Sequence, residues 1–467
     1  MNLNQYIEKI KNNGITKEIV MELINAHKKD HDRMKKLYER YKSEPEGVPI
    51  LERKPFKMDL SEKEKIQRID DKVNNRLANA FDAEIVDTKI GYLFGHPITY
   101  EFDDKREPGT TSSIKDMIDS FNLRNHVEDE DSELGKMAAI CGKASRLIFI
   151  DTEGNERIKN IDPWQVVFLG DNISDPTYTL WYYKDANGFQ AAEFYDDSKV
   201  YFFRSNESGE MQLSETKAHM FDFNPLFGLA NNKEHMGDAE RVLTLIDAYN
   251  RTLSDASNEI EQYRLAYLIL KGMGADEDTL ERMKKSGIIE LFDEKDDVSY
   301  LTKDINDALI EHHLDRLEKN IIRLSKSVNF DDESFSGNSS GVAIKYKLQA
   351  LENKCITLER KMTSTLRYQF KVLFSAWSKR NGVSIDDYLK VWFGFKRNLP
   401  ENVLEEAQAT AALRGQVSEE TRLSKLSFVD DVQFEIRKMQ EDQDEYARHL
   451  QPLGGEDDND QEPARAR

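Results

Sequence analysis

The chain has 467 residues, 39% hydrophobic and 33% charged, so it is long enough for two to four domains and can bury a core beneath a polar surface. Its net charge of -21 runs against the basic footprint of a tight, sequence-specific DNA binder. The two cysteines, Cys141 and Cys355, exclude a disulfide framework and a cysteine-based zinc site and fit a reducing compartment. Met1 to Ile10 lacks the apolar core of a signal peptide, and no apolar run approaches the roughly 18 residues of a membrane span, so no membrane partner is expected.

Residues 1 to about 45 read as charged helix, with Ile15-Thr16-Lys17-Glu18 as a helix start. Pro45, Gly47, Pro49 and Pro55 then mark an irregular extended arm. From Ser61 the stripe Ile66, Ile69, Val73, Leu77, Phe81, Ile85 and Val86 predicts one helix, which runs into the segment from Ile90 to Pro97 and gives way to a strand through Phe102. Ile114 to Met137 reads as one helix and Arg146 to Asp151 as a strand with a Glu153-Gly154-Asn155 turn. Runs at 166–169, 177–183, 190–195 and 199–203, separated by turn signals at 185–188 and 207–209, predict an antiparallel meander. Asn224-Pro225 to Asn232 reads as loop. Asp238 to Leu268 is a helix by spacing. A small mixed insertion follows, with strands at 265–270, 288–292 and 298–301 and a short helix at 276–285.

The most informative stretch runs from Asp304 to Asn381. Ile305, Leu309, Leu314, Leu317, Ile321, Leu324 and Val328 give one apolar helical face. The segment from Phe330 to Gly341 is too polar and too rich in Gly and Ser to continue it. Then Ile344, Leu348, Leu351, Cys355, Leu358, Met362, Leu366, Phe370, Leu373 and Trp377 recur every three or four residues, with no Pro or Gly between Gly341 and Gly382. A helix of about 40 residues is about 60 Å long, a rod suited to a large assembly. Tyr388 to Phe395 reads as an isolated strand returning to the earlier sheet, and short helices broken at Arg414-Gly415 and 428–431 follow to about Leu450. The end is a small acidic tail with the composition of a disordered segment.

Chemistry-bearing motifs are weak. Glu311-His312-His313 places neighbours about 100° apart on a helix, which suits a polar patch better than a metal site. Gly272-Met-Gly274 lacks the third glycine of a dinucleotide fingerprint, and neither it nor 336–341 is followed by a Walker lysine. No Gly-x-Ser-x-Gly elbow occurs. These absences predict no catalysis, cofactor or metal.

Three stretches resemble the portal proteins of tailed bacteriophages, siphophage type, infecting mainly Gram-positive bacteria. They are Asn75 to Tyr100, with its Lys89-Ile-Gly-Tyr-Leu-Phe-Gly-His-Pro-Ile98 segment; Ser254-Asp255 in the helix before Leu265 to Leu270; and Ser340-Gly-Val-Ala-Ile-Lys-Tyr-Lys-Leu348 with Leu351-Glu352. The resemblance covers about Asp30 to Leu450 and carries structural motifs only. It implies an α+β portal fold with an α/β wing, an antiparallel two-helix stem, a small α/β clip, a very long helix after a tunnel loop, and a helical crown. The implied divisions are an N-terminal helical segment and arm (1–60), wing (61–235, with strand 386–396), stem helices (236–267 and 304–328), clip (268–303), tunnel loop (329–341), long wing helix (342–381), crown (399–450) and acidic tail (451–467). The function implied is a ring, a dodecamer in the virion, at one capsid vertex, through which double-stranded DNA is packaged and ejected. Implied partners are copies of the chain, the viral DNA, the terminase large subunit, a head-tail adaptor, and the major capsid and scaffolding proteins. The implied location is the virion, after assembly in the host cytoplasm.

The resemblance assigns DNA-facing positions to Phe330, Asp331, Asp332, Glu333, Ser334, Phe335, Ser336, Gly337, Asn338, Ser339 and Ser340. That loop has no Lys or Arg, so it can touch DNA without clamping phosphates. It assigns motor or adaptor docking to the clip residues Asp276, Glu277, Glu281, Lys284 and Lys285. Arg316, Lys319, Arg323 and Lys326 fall within roughly an 80° sector of the second stem helix. They form a basic stripe that either lines the channel or pairs with acidic groups on the next subunit or with the helix C-terminal dipole. The alternative function is a scaffold or adaptor-like helical protein without a channel; a carboxylate-based nuclease is the enzymatic competitor.

Overall fold

The computed structural model of the protein describes residues 3–54, 74–102, 113–263, 267–271, 297–301, 307–329, 341–399, 403–426, 428–429 and 432–450. It divides into two compact units, Met1–Asn398 and Leu399–Arg467.

The first unit is layered. Helices α1 (Leu3–Asn13) and α2 (Lys17–Tyr41) open it, and Thr16 caps α2 by accepting from the Ile19 amide, as the sequence predicts. They pack on a five-stranded antiparallel meander, β4 (Val166–Leu169), β5 (Tyr178–Lys184), β6 (Gln190–Tyr195), β7 (Lys199–Ser205) and β8 (Met211–Ala218). Alternation along β4 sets the layers: Val167 and Leu169 meet Ile19, Val20 and Leu23 of α2, while Val166 and Phe168 face the opposite way. That opposite face meets Leu147, Ile161 and Leu226 of a three-stranded antiparallel sheet ordered β3 (Glu156–Ile161), β2 (Lys143–Ile150), β9 (Leu226–Ala230). The four strands read from sequence are present, and β8, a charged and exposed edge strand, is added.

Helices α3 (Phe81–Phe94), α4 (Ser113–Asn125) and α5 (Val127–Cys141) precede β2, with β1 (Thr99–Phe102) between α3 and α4. After β9, a 3-10 turn at Glu240–Val242 leads into α6 (Leu243–Tyr263). Strands β10 (Tyr267–Lys271) and β11 (Asp297–Leu301) form an antiparallel pair between α6 and α7 (Asp307–Ser325). Val242 and Ile246 near the start of α6 share one core cluster with Ile321 near the end of α7, so the two helices run antiparallel. Helix α8 (Gly341–Asn381) is a single 41-residue helix. From Leu348 to Trp377 every predicted apolar position on it is buried; the side chain of Ile344 lies outside what is described. Its Thr365 hydroxyl donates to the Gly228 carbonyl and its Tyr368 hydroxyl to the Asn224 carbonyl, which fixes it against β9. Strand β12 (Val391–Gly394) pairs with β1.

Several expectations are corrected. Residues 74–80 form neither helix nor strand, and the helix expected from Ser61 begins at Phe81; residues 61–73 lie outside the described residues. The amides of Asn75, Leu77 and Asn79 donate to side chains of Asn258, Ser254 and Asn250 on α6 at 2.7, 3.0 and 2.9 Å. Two extended residues advance about 6.6 Å and four helical residues about 6 Å, so alternate amides match every fourth side chain. The helix expected over 114–137 is split at His126, whose φ of 48° is left-handed. The loop expected over 224–232 contains β9, an entirely buried strand. Gly228 permits this, because a Cβ there would lie 2.7 Å from the Phe168 ring. The late strand is short, follows a 3-10 turn at Ile385–Lys390, and joins β1 instead of the meander. On α7 the apolar face is only partly covered: Leu317 and Ile321 are buried, while Leu309 and Leu324 are 65% and 51% exposed.

The second unit contains α9 (Val403–Ala412), α10 (Glu419–Leu423) and α11 (Val432–Leu450). Ser418 caps α10 by accepting from the Thr421 amide at 3.2 Å.

Candidate functional site

The elements that lead into and out of residues 330–340 converge on one buried carboxylate, Asp238. Its side chain is 3% exposed, and it stands just before α6. Lys89 from α3 approaches it at 3.0 Å and Lys354 from α8 at 3.4 Å. The Asn231 amide, just past β9, donates to Asp238 at 2.9 Å, and its oxygen accepts from Lys89 at 2.7 Å. Lys354 also donates to the carbonyl of Ser325, the last residue of α7, at 2.9 Å. Burial alone would push the Asp238 carboxyl up, but Lys89, Lys354 and the Asn231 hydrogen bond outweigh it and hold the carboxyl below its ordinary value. Burial, reinforced by repulsion from Lys89 and opposed by Asp238, brings Lys354 down from 10.5 to about 8.

Above this floor lies a cavity of about 200 Å³, also lined by Arg241, Lys326, Asn232 and Asn353. Lys326 reaches it because α7 stops at Ser325. The Lys326 amide donates to the Arg323 carbonyl and the Ser327 amide to the Ile322 carbonyl, the paired reversed bonds of a Schellman stop. Lys326 takes the left-handed position at φ 58°, where glycine is the usual residue.

A second network braces the body. Arg146 of β2, fully buried, donates to Asp131 of α5, Gln369 of α8, Asn160 of β3 and the Glu130 carbonyl. Asp131 also accepts from the Tyr100 hydroxyl of β1. Another buried guanidinium, Arg40 at the end of α2, pairs with Asp82 of α3 and Asp247 of α6.

Of the stripe expected on the second stem helix, Arg316, Lys319 and Arg323 share an exposed face of α7, roughly opposite buried Leu317, Ile321 and Ser325. Lys326 does not belong to that face, because the Schellman stop turns it away from the helix and toward the cavity. Arg323 donates to Asn320 at 3.1 Å, and none of the three forms an ion pair among the described residues. Glu311, Asp315 and Glu318 occupy the neighbouring sector of the same helix. The expected tunnel-loop positions Phe330 to Ser340, and the expected docking positions Asp276, Glu277, Glu281, Lys284 and Lys285, lie outside the described residues. His312 and His313 are exposed on α7, and among the described residues no group of His, Cys, Asp or Glu is arranged to hold a metal ion. No described helix is long and apolar enough to cross a membrane.

Sequence reasoning missed Asp238, Lys89, Lys354 and Asn231. One signal was present. Lys89 falls at helical spacing with Ile85, Val86, Leu93 and other apolar residues of α3, and a lysine on such a face needs a buried partner.

Buried ion pairs that tie one element to another, together with an antiparallel helix pair, define a structural frame. The chain belongs to the family described as phage portal protein, SPP1 Gp6-like, whose model matches residues 21–449. It is 26% identical over 389 residues to the portal protein of Clostridium phage phiCD119, covering 77% of this chain and 83% of that one. It is 24% identical over 430 residues to the portal protein of Bacillus phage SPP1, covering 86% of this chain and 83% of that one. A chain from a solved structure titled "Neck of empty GTA particle computed with C6 symmetry" aligns at 12% identity and a TM-score of 0.45, covering 74% of this chain and 90% of that one, a likeness too weak to carry weight.

Proposed function

We propose that copies of this chain form the ring-shaped portal at one capsid vertex of a tailed phage, through which double-stranded DNA enters and leaves. The family match across residues 21–449 carries this reading. In it, α6 and α7 are the stem, 268–303 the clip, 329–341 the tunnel loop, α8 the long wing helix and 399–450 the crown. The clip is the docking surface for the terminase large subunit and then for a head-tail adaptor, and the ring contacts capsid and scaffolding proteins. The ring is a dodecamer in the virion, assembled in the host cytoplasm. The chain performs no catalysis, leaving ATP hydrolysis to the terminase.

The exposed face of α7 supports two roles. A basic sector lining a channel would brush DNA phosphates within a Debye length of about 8 Å. The acidic sector beside it favours the second role, in which Arg316, Lys319 and Arg323 pair with Glu311, Asp315 or Glu318 of the next subunit. Charge reversal at Arg316 and Lys319 separates them: packaging loss with intact rings supports the first, and ring loss supports the second.

Negative-stain electron microscopy with mass photometry tests the proposal. Rings with a central hole are expected. Rods or dimers at every concentration, or metal-dependent DNA cleavage by the purified protein, would overturn it.

A further inference from the structure

The cavity over Asp238 carries an imbalance of charge. Its lining contains four cations, Lys89, Arg241, Lys326 and Lys354, against a single carboxylate. Asn231 donates to the Asp238 Oδ1, Lys354 stands 3.4 Å from the same oxygen, and Lys89 stands 3.0 Å from Oδ2, which receives no hydrogen bond. Each lysine ammonium has three donors. Lys89 donates one to Asn231 and Lys354 donates one to Ser325, and each ammonium group lies close enough to Asp238 to direct at most one more there. At least one donor on each is left over. At the mouth, Arg241 and Lys326 are exposed and form no ion pair among the described residues. Asn353 accepts from Gln349 through its oxygen, which leaves its amide group to donate. The four cations come from four places in the fold: α3, the entry to α6, the stop after α7, and α8.

We propose that this cavity binds a phosphate oxyanion, between the Lys89–Asp238–Lys354 floor and the Arg241 and Lys326 mouth. The phosphate is either free in solution or part of a nucleic-acid backbone. An anion with several acceptor oxygens fits donors converging from several sides, and a guanidinium can hold it through two parallel bonds. A cavity of about 200 Å³ admits such a group with water around it. The depressed Lys354 is consistent with this: burial and then repulsion from Lys89 lower it, and a nearby anion would favour its charged form. The bound group would brace the end of α7 against α8, the two helices on either side of residues 330–340. The inference stands on the cavity and does not depend on the ring.

The test uses the full-length protein and two exposed substitutions, Arg241→Gln and Lys326→Gln. Melting temperature is measured against inorganic phosphate, with sodium chloride adjusted to constant ionic strength. Binding of a short duplex DNA is measured separately by fluorescence anisotropy, with and without competing phosphate. For a free-phosphate site, phosphate raises the melting temperature saturably, and each substitution weakens the apparent affinity by about tenfold or more. For a backbone phosphate, duplex binding is displaced by phosphate at constant ionic strength, and the same substitutions abolish that competition. No response of the wild-type protein to phosphate in either assay would overturn the proposal, as would responses that both substitutions leave unchanged.

Discussion

Replacing Asp238 with Asn removes the one negative charge between a buried lysine, Lys89, and a partly buried one, Lys354, while preserving side-chain shape. Lys89 is 1% exposed and Lys354 14% exposed, so hydration by the adjoining cavity can replace only part of what Asp238 supplies. Breaking a buried ion pair by removing one partner costs about 3–5 kcal/mol. The two lysines share this loss unequally. Lys354 already titrates at about 8, so at pH 7 it can escape the unpaired state by losing its proton at a cost of about 1.4 kcal/mol. The remainder falls on Lys89. At pH 9 Lys354 is mostly neutral in the wild-type protein, so its share disappears and the penalty of Asp238→Asn shrinks by about 1 kcal/mol. With an unfolding entropy of about 2.1 cal/mol/K per residue across Met1–Asn398, a loss of about 4 kcal/mol lowers the melting temperature by about 5 °C. Differential scanning fluorimetry at pH 7 and pH 9 measures both quantities. Adding Lys354→Met to Asp238→Asn should recover part of the pH 7 loss. A melting temperature within about 1 °C of wild type at pH 7 would refute the reasoning.

Asn250→Ala strands the Asn79 amide, which donates to Asn250 at 2.9 Å, and should cost about 1–3 kcal/mol with faster hydrogen exchange across 74–80; unchanged exchange would show that the α6 side chains do not hold this segment. Burial lowers His27 from 6.5 to about 3, and the Tyr182 hydroxyl, which donates to the Trp164 carbonyl, accepts from its Nδ1. The folded state therefore takes up its proton later than the unfolded state. Stability is full above pH 6.5 and declines as pH falls toward 3, by up to about 1.4 kcal/mol per pH unit. This contribution should vanish in His27→Gln, and an imidazole titrating near 6.5 by NMR would contradict it. Lys326→Gly should raise stability by about 0.5–1 kcal/mol, because glycine adopts the left-handed position at φ 58° without strain; a lower melting temperature would count against the Schellman stop.

Local pattern alone determined much of this protein. The repeat from Leu348 to Trp377 specifies α8, because an unbroken apolar stripe at helical spacing can be buried only as a helix. Alternating runs and turn residues specify four strands of the meander, and the stretch from Asn75 to Tyr100 carries the family resemblance. Tertiary structure decided where local pattern and distant partner disagree. Residues 74–80 fall within a predicted helical stripe yet form no helix, since the amides of Asn75, Leu77 and Asn79 are satisfied by Asn258, Ser254 and Asn250. Residues 226–230 look like a loop after Asn224-Pro225 yet form a strand, because β2 offers an open edge and Gly228 makes room for Phe168. The convergence of Lys89, Asp238 and Lys354 was hidden for a related reason. In a chain that is 33% charged, composition supplies many candidate pairs, and only the packing that excludes water selects the few that must meet.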